Sequence, residues 1–412
     1  MESTKLLNDG AKQIMVQTKD HNLSNGGDVV IDLDRGDPKM FYTYWKKVDN
    51  ECSVNIKASE LISYFPNPKD ADFFCQMPEF IDAVHRVHRL VGNAVTEGRY
   101  IIEGTGSSQL FIAALRALAC TAKETTSNKK HIPVVCAEPY YSFYKEVIEQ
   151  ERSELYQWKG DANTFQSESG PYIEVVTSPN NPDGTTRKPV LKGEEGMVIH
   201  DLAYYWPHYT PITSPADYDV MLFTLSKATG HAGSRVGWAI VKNKEIAKKI
   251  HKHLFLMSIG SCQEGFIRAT KIIHFVADSY EHDVDYMLVK PPKVPVLFEA
   301  EGLFDYGHRI LALRWKRLRA IAQRSEVVSL PDFSPEFCNF KGKLTYPTPA
   351  FAWLECKTGE DAEQLTRKMK IQARNDSKFG VSVSRRYVRV SMVGDDHSFN
   401  LFIERLSSLS IM

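Results

Sequence analysis

An α/β fold built on a mainly parallel sheet with helices on both faces, followed by a smaller α+β unit, is the fold class that three observations predict. Between residues 100 and 242 short apolar runs alternate with helical stretches, the trace that strand–helix–strand units leave in a sequence. Most of those runs are continuously apolar, as strands covered on both faces must be. After Arg324 the pattern changes to a few β-like runs and two helices.

The strand candidates are Tyr100–Ile102, Pro133–Ala137, Tyr172–Thr177, Met197–Ile199, Val220–Thr224 and Val236–Val241. Ligands of open α/β sheets sit outside the carboxyl ends of the strands, so the residues after each candidate are where chemistry is expected. A helical block runs from about Lys244 to Arg324, broken by Lys290-Pro-Pro-Lys-Val-Pro-Val296, which cannot be helix. Beyond it, Phe351–Leu354 and Tyr387–Met392 read as strands. The opening stretch to Gly27 is polar and unpatterned, and reads as a loose arm. The expected division is an arm over 1–27, a segment over 28–70 that joins the small domain, a large domain over 71–300 and a small domain over 301–412.

The 412 residues are 43% hydrophobic and 25% charged, enough apolar material for a large core. Lys+Arg and Asp+Glu both number 51, so no global field favours nucleic acid or an anionic membrane, and neither is an expected partner. The 7 cysteines are odd in number and form no CxxC pair, a pattern of small buried hydrophobes in a reducing compartment. No run of about 18 apolar residues offers a membrane span. The first twenty residues have no apolar core of a signal peptide. The expected address is the cytoplasm. The 13 histidines show no ligand spacing with cysteines or carboxylates, so no metal site is expected.

Five strand-end loops carry unusual residues. Glu103-Gly-Thr-Gly-Ser-Ser-Gln109 precedes a helical stretch, and glycines with hydroxyls at a helix N-terminus suit an anion; taken alone it is equally a Gly-rich turn with a serine cap. In Glu138-Pro-Tyr-Tyr-Ser142 an aromatic ring can stack on a flat ligand or simply fill a domain seam. Thr177-Ser-Pro-Asn-Asn-Pro-Asp-Gly184 is a turn by its prolines and glycine, but turn chemistry leaves unexplained the amides at the end of a buried strand. Asp201 ends the apolar run before Leu202-Ala-Tyr-Tyr205, where a carboxylate needs a cation or must serve as a helix cap. Lys227 follows the apolar Leu222–Leu225 among small residues, an environment that desolvates an amine and makes it a nucleophile. Arg235 follows with a fork able to clamp a phosphate, and Thr224 offers a hydroxyl to the same group. Together and in this order, they match pyridoxal 5′-phosphate, which needs a Schiff-base lysine, a carboxylate at its ring nitrogen and phosphate donors.

The order resembles the fold type I pyridoxal-phosphate aminotransferases, and more closely the plant group containing alliinase and the tryptophan aminotransferases of auxin synthesis. The segments Ser178-Pro-Asn-Asn-Pro-Asp-Gly184, His200-Asp-Leu-Ala-Tyr-Tyr-Trp-Pro-His-Tyr-Thr-Pro211 and Ser226-Lys-Ala-Thr-Gly-His-Ala-Gly-Ser-Arg235 carry the resemblance, which runs from about Asp28 to Arg405. It implies a seven-stranded sheet in the large domain and a homodimer with shared active sites. By the same resemblance, Lys227 binds the cofactor and shuttles the proton between Cα and C4′. Asp201 keeps the ring nitrogen protonated, Asn181 and Tyr204 hold the phenolic oxygen, and Tyr141 stacks on the ring. Gly106, Ser107, Ser108, Thr224 and Arg235 take the phosphate, Arg389 pairs with the substrate carboxylate, and Tyr64 reaches the neighbouring subunit's cofactor.

The stretch Asp278–Gly302 has no counterpart in that group and reads as a loop insertion. Alliinases also carry a cysteine-rich N-terminal module and a secretory signal; neither is visible here, which favours the cytosolic aminotransferase. The leading expectation is transamination between L-tryptophan and pyruvate or another 2-oxo acid, giving indole-3-pyruvate. The alternatives are an alliinase-like C–S lyase acting on cysteine sulfoxides, which shares the same catalytic groups, and a cofactor-binding protein without turnover.

Overall fold

The computed structural model describes residues 29–125, 131–166, 170–281, 301–381 and 384–409; the expected arm over 1–27 and Lys290–Val296 lie outside them. In chain order the elements are β1 (Ile31–Asp32), α1 (Tyr42–Lys47), α2 (Pro78–Val91), β2 (Tyr100–Gly104), α3 (Gly106–Thr125), β3 (Ile132–Cys136), α4 (Phe143–Glu151) and β4 (Tyr156–Asp161). Next come β5 (Tyr172–Thr177), β6 (Gly196–Asp201), β7 (Val220–Thr224), α5 (Leu225–Ala228), β8 (Gly237–Val241), α6 (Lys244–Ser258), α7 (Gln263–Glu281) and α8 (Leu303–Ala322). The C-terminal part holds β9 (Val328–Ser329), β10 (Glu336–Cys338), β11 (Lys343–Thr345), β12 (Phe351–Cys356), α9 (Ala362–Lys368), β13 (Ile371–Gln372), β14 (Arg374–Asn375), β15 (Tyr387–Ser391) and α10 (Asp396–Ser408).

The continuous apolar runs become the 7-stranded sheet, in the order β2-β8-β7-β6-β5-β3-β4. β8 runs antiparallel to β2 and β7, and the other pairs are parallel. Every residue of β5, β7 and β8 is buried, because helices cover both faces. On one side α3 packs through Leu110, Ala113, Ala114 and Leu118 with α6. On the other, α2 lies against α7 through Phe80, Ala83, Val84 and Val87, residues three and four apart and so on one face. Pro78 opens α2, and Gly92 at φ 70° closes it in the left-handed conformation that favours glycine. Emptying a buried site such as Leu222 by Leu222→Ala would cost about 2–5 kcal/mol.

Five of the six expected strands differ from the observed ones only by a residue or two at their edges or not at all, and β6 extends from Met197–Ile199 to Gly196–Asp201 because it pairs along its whole length with β5. The strand of this sheet that the sequence did not show was β4. It is a sheet edge, and only Tyr156 of its six residues is fully buried, so Tyr-Gln-Trp-Lys-Gly-Asp gives no apolar run.

The C-terminal part centres on a 4-stranded sheet, β14-β15-β12-β9. The N-terminal segment reaches it, since β1 pairs in parallel with β13. Arg314 of α8 ties the layers together: its buried guanidinium donates to the carbonyls of Met392 and Gly394 at 2.6 and 2.9 Å and to Asp396 Oδ1 at 2.6 Å.

Candidate active site

The carboxyl ends of the central strands meet the N-terminal segment and the C-terminal sheet around a cavity of about 340 Å³. Of the residues expected from sequence, Ser107, Ser108, Tyr141, Asn181, Asp201, Tyr204, Thr224, Lys227, Arg235 and Arg389 line it. It is also lined by Arg35, Gly36, Thr177, Phe351 and Arg374, which the sequence did not single out.

Lys227 sits on the single turn α5, whose N-cap Thr224 accepts from the Ser226 N–H. Its Nζ donates to the Gly36 carbonyl at 2.6 Å and lies 5.6 Å from the Tyr204 ring centre. The Lys227 carbonyl is bonded to His208 Nε2 at 3.0 Å. Burial lowers the Lys227 amine to about 8, with the Arg389 guanidinium adding to the effect and Asp37 opposing it. Burial holds the His208 ring neutral, and since a carbonyl oxygen only accepts, Nε2 is the donor in that contact.

Asp201 ends β6 inside the fold, and burial pushes its carboxyl up. Its partners are neutral: Tyr144 O–H donates to Oδ2 at 2.7 Å and the Ala203 N–H to Oδ1 at 3.1 Å, and both bonds partly offset the shift. The Tyr144 hydroxyl also meets Thr177 Oγ1 at 2.7 Å. Tyr144 was not expected; its one sequence signal is its place three residues after Tyr141, across the turn that opens α4.

Gly106, at φ 75°, opens α3 where a Cβ would come within 2.8 Å of Arg235 Nη2. A Cβ on Gly237 would come within 2.7 Å of the Gly106 carbonyl carbon and the Ser107 nitrogen. Two glycines thus let the start of a 20-residue helix lie against the Arg235 loop. Backbone N–H groups, the hydroxyls of Ser107 and Ser108 and a guanidinium converge there, which is an anion-binding donor set.

Arg389 projects from β15 and is 3% exposed. Nη1 donates to Asn181 Oδ1 at 2.9 Å and Nη2 to the Asp34 carbonyl, whereas Nε has no partner. Its Cζ stands 4.1 Å from the Phe351 ring centre. Burial, with Arg374 adding to it, pushes this guanidinium down to about 10. A buried guanidinium that lines a cavity and keeps donors to spare is poised for an anion. Tyr204 packs edge-on to Tyr209 and Phe351 at 5.3 and 5.8 Å. Tyr141 stacks on Phe143 at 5.9 Å.

Tyr64 lies elsewhere, 67% exposed. It belongs to an apolar patch with Ile62 and Phe65 beside Leu256, Met257 and Ile259, joined by Gln263 Nε2 donating to the Ser63 carbonyl at 2.8 Å and by the Phe65–Phe74 and Phe74–Phe255 ring contacts. Among the described residues no group of three or more His, Cys, Asp or Glu could hold a metal ion, and no helix is long and apolar enough to cross a membrane.

The family model Alliinase_C, described as "Allinase", matches residues 31–410. The chain is 45% identical over 387 residues to "Tryptophan aminotransferase-related protein 2" of Oryza sativa subsp. japonica, covering 93% of this chain and 74% of that protein. It is 32% identical over 374 residues to "Alliin lyase" of Allium cepa var. aggregatum, covering 90% and 79%. Among solved structures it resembles a methionine aminotransferase from Escherichia coli with a TM-score of 0.61 at 15% identity, covering 92% of this chain and 93% of that one, which is a likeness of fold.

Proposed function

Because the chain belongs to the alliinase family, on the fold of the type I pyridoxal-phosphate aminotransferases, we propose that it is an aminotransferase. It takes the amino group of L-tryptophan and passes it to pyruvate or another 2-oxo acid, giving indole-3-pyruvate and the matching amino acid. The observation that carries this reading is one cavity holding a desolvated amine at Lys227, a buried carboxylate at Asp201 and a part-satisfied guanidinium at Arg389. The name of the 45% identical relative supports tryptophan as the donor.

The donor set fits pyridoxal 5′-phosphate, which when bound supplies an electrophilic aldehyde and a ring that takes up the electron pair left at Cα. The close approach of Gly106 to Arg235 makes a phosphate cradle with Ser107, Ser108 and Thr224. Asp201 would hold the proton on the ring nitrogen. Tyr204 and the Asn181 Nδ2 amide, whose Oδ1 is taken by Arg389, donate to the phenolic oxygen. Tyr141 covers the ring face. Arg389 grips the substrate carboxylate through the N–H groups left over from Asn181 and Asp34. Lys227 would move the proton between the substrate's Cα and C4′ of the bound cofactor; an amine near 8 is a competent base at neutral pH.

We further propose that the apolar patch around Tyr64 pairs with a second copy, bringing Tyr64 to the partner's cofactor. The 28–70, 71–300 and 301–412 division belongs to the same reading, as does a cytoplasmic site of action. Product analysis tests the function. Indole-3-pyruvate formed from L-tryptophan only when pyruvate is present supports it. Pyruvate and ammonia released from an S-alkyl cysteine sulfoxide without any acceptor would replace it with lyase chemistry.

A further inference from the structure

β14 and β15 are antiparallel, and Arg374 stands directly opposite Arg389. Like charges in that position repel, yet both guanidiniums line the cavity. Asp34 reconciles them. Arg374 Nε donates to its Oδ1 and Nη2 to its Oδ2 at 3.2 Å, a two-point pair. Arg389 Nη2 donates to the main-chain oxygen of the same residue and lies 3.8 Å from Oδ1. The backbone there is fixed, because the Leu33 N–H donates to the Gln372 carbonyl and the Ser391 N–H to the Leu33 carbonyl, both at 2.9 Å. Arg374 is anchored from the other side by Ser142 Oγ at 3.3 Å. One carboxylate therefore serves two guanidiniums and pairs at two points with Arg374 alone.

We propose that Asp34 is a specificity-determining residue which, by occupying Arg374, denies the cavity a second carboxylate site. The inference rests on the reading of Arg389 as the carboxylate-binding group. A substrate with one carboxylate meets the free N–H of Arg389. The second carboxylate of a dicarboxylic amino acid or oxo acid meets a neutralised Arg374 and the negative oxygens of Asp34. The site discriminates by a built-in repulsive element as well as by attraction.

Calorimetric titration of the cofactor-loaded protein with two unreactive acids, indole-3-propionate and glutarate, tests this without turnover. Asp34→Asn keeps the shape and frees Arg374. The ratio of glutarate to indole-3-propionate dissociation constants should fall by about tenfold or more, the size of one charge-assisted pair. Adding Arg374→Gln to that variant should abolish the gain. Arg374→Gln alone leaves Asp34 unneutralised and should move the ratio the opposite way, which keeps the test open if Asp34→Asn does not fold. A ratio within one preparation does not depend on how much protein is active, and a merely structural role for Asp34 would weaken both acids alike. An unchanged ratio in the folded variants, or a glutarate gain that survives the loss of Arg374, overturns the proposal. A shifted ratio in a protein that makes no indole-3-pyruvate would retain it and reject the tryptophan reading instead.

Discussion

Lys227→Met in the cofactor-free protein isolates the energetic cost of the buried amine. Burial holds this lysine at about 8 instead of 10.5, and that gap corresponds to about 3 kcal/mol of differential stability between its protonation states. The depressed value means that the fold disfavours the charged amine. Below about pH 8 the amine is protonated in both folded and unfolded chains and the cost is fully present. As the pH rises from 8 toward 10.5, only the unfolded chain stays protonated and the cost fades. The wild type should therefore pay about 3 kcal/mol at pH 7 and about 1 kcal/mol at pH 10. Methionine has similar length and no charge, and losing the bond to the Gly36 carbonyl adds a term that does not depend on pH. Urea unfolding of both proteins should show the advantage of Lys227→Met over wild type shrinking by about 2 kcal/mol between pH 7 and pH 10. The same shift leaves about 300-fold more neutral amine at pH 7 than an ordinary lysine would have, which is the purpose the cost serves. A difference between the two proteins that is constant across this range would refute the claim that burial tunes Lys227.

Three other substitutions probe the rest of the cavity. Gly106→Ala puts a methyl within 2.8 Å of Arg235 Nη2 at a φ of 75° and should weaken pyridoxal phosphate binding by about 10-fold or more, read by equilibrium absorbance titration. Arg389→Lys keeps the charge but loses the fork that spans Asn181, Asp34 and the substrate, so kcat/KM for carboxylate substrates should fall by about 100-fold. Tyr144→Phe removes a hydrogen bond that lowers the Asp201 value, so the carboxyl protonates more readily; steady-state rates should fall by about tenfold, with the larger loss on the acid side of the pH profile.

The parts of this fold legible in the sequence were those with a local signal. β7 is buried from end to end and apolar up to its terminal Thr224, so its limits could be read directly. β4 escaped because an edge strand with polar outward positions has no such signature. In the cavity, Lys227, Asp201 and the Ser107–Ser108 turn were legible because each follows a recognisable strand. Arg35, Gly36, Phe351 and Arg374 were not, since their part in the cavity depends on the N-terminal segment and the C-terminal sheet closing over the strand ends. No spacing within one segment encodes that meeting. Tyr144 lay only three residues from Tyr141, but its value comes from Thr177 and Asp201, each more than thirty residues away in the chain.

The visible absorbance of the purified, cofactor-loaded protein, followed while L-tryptophan is added with no acceptor present, reads the first half of the proposed transamination by itself. The yellow band of cofactor bound to Lys227 should convert to the amine form and return when pyruvate is added. A bound yellow cofactor that does not respond to tryptophan, or a Lys227→Ala protein that turns over like the wild type, would contradict it.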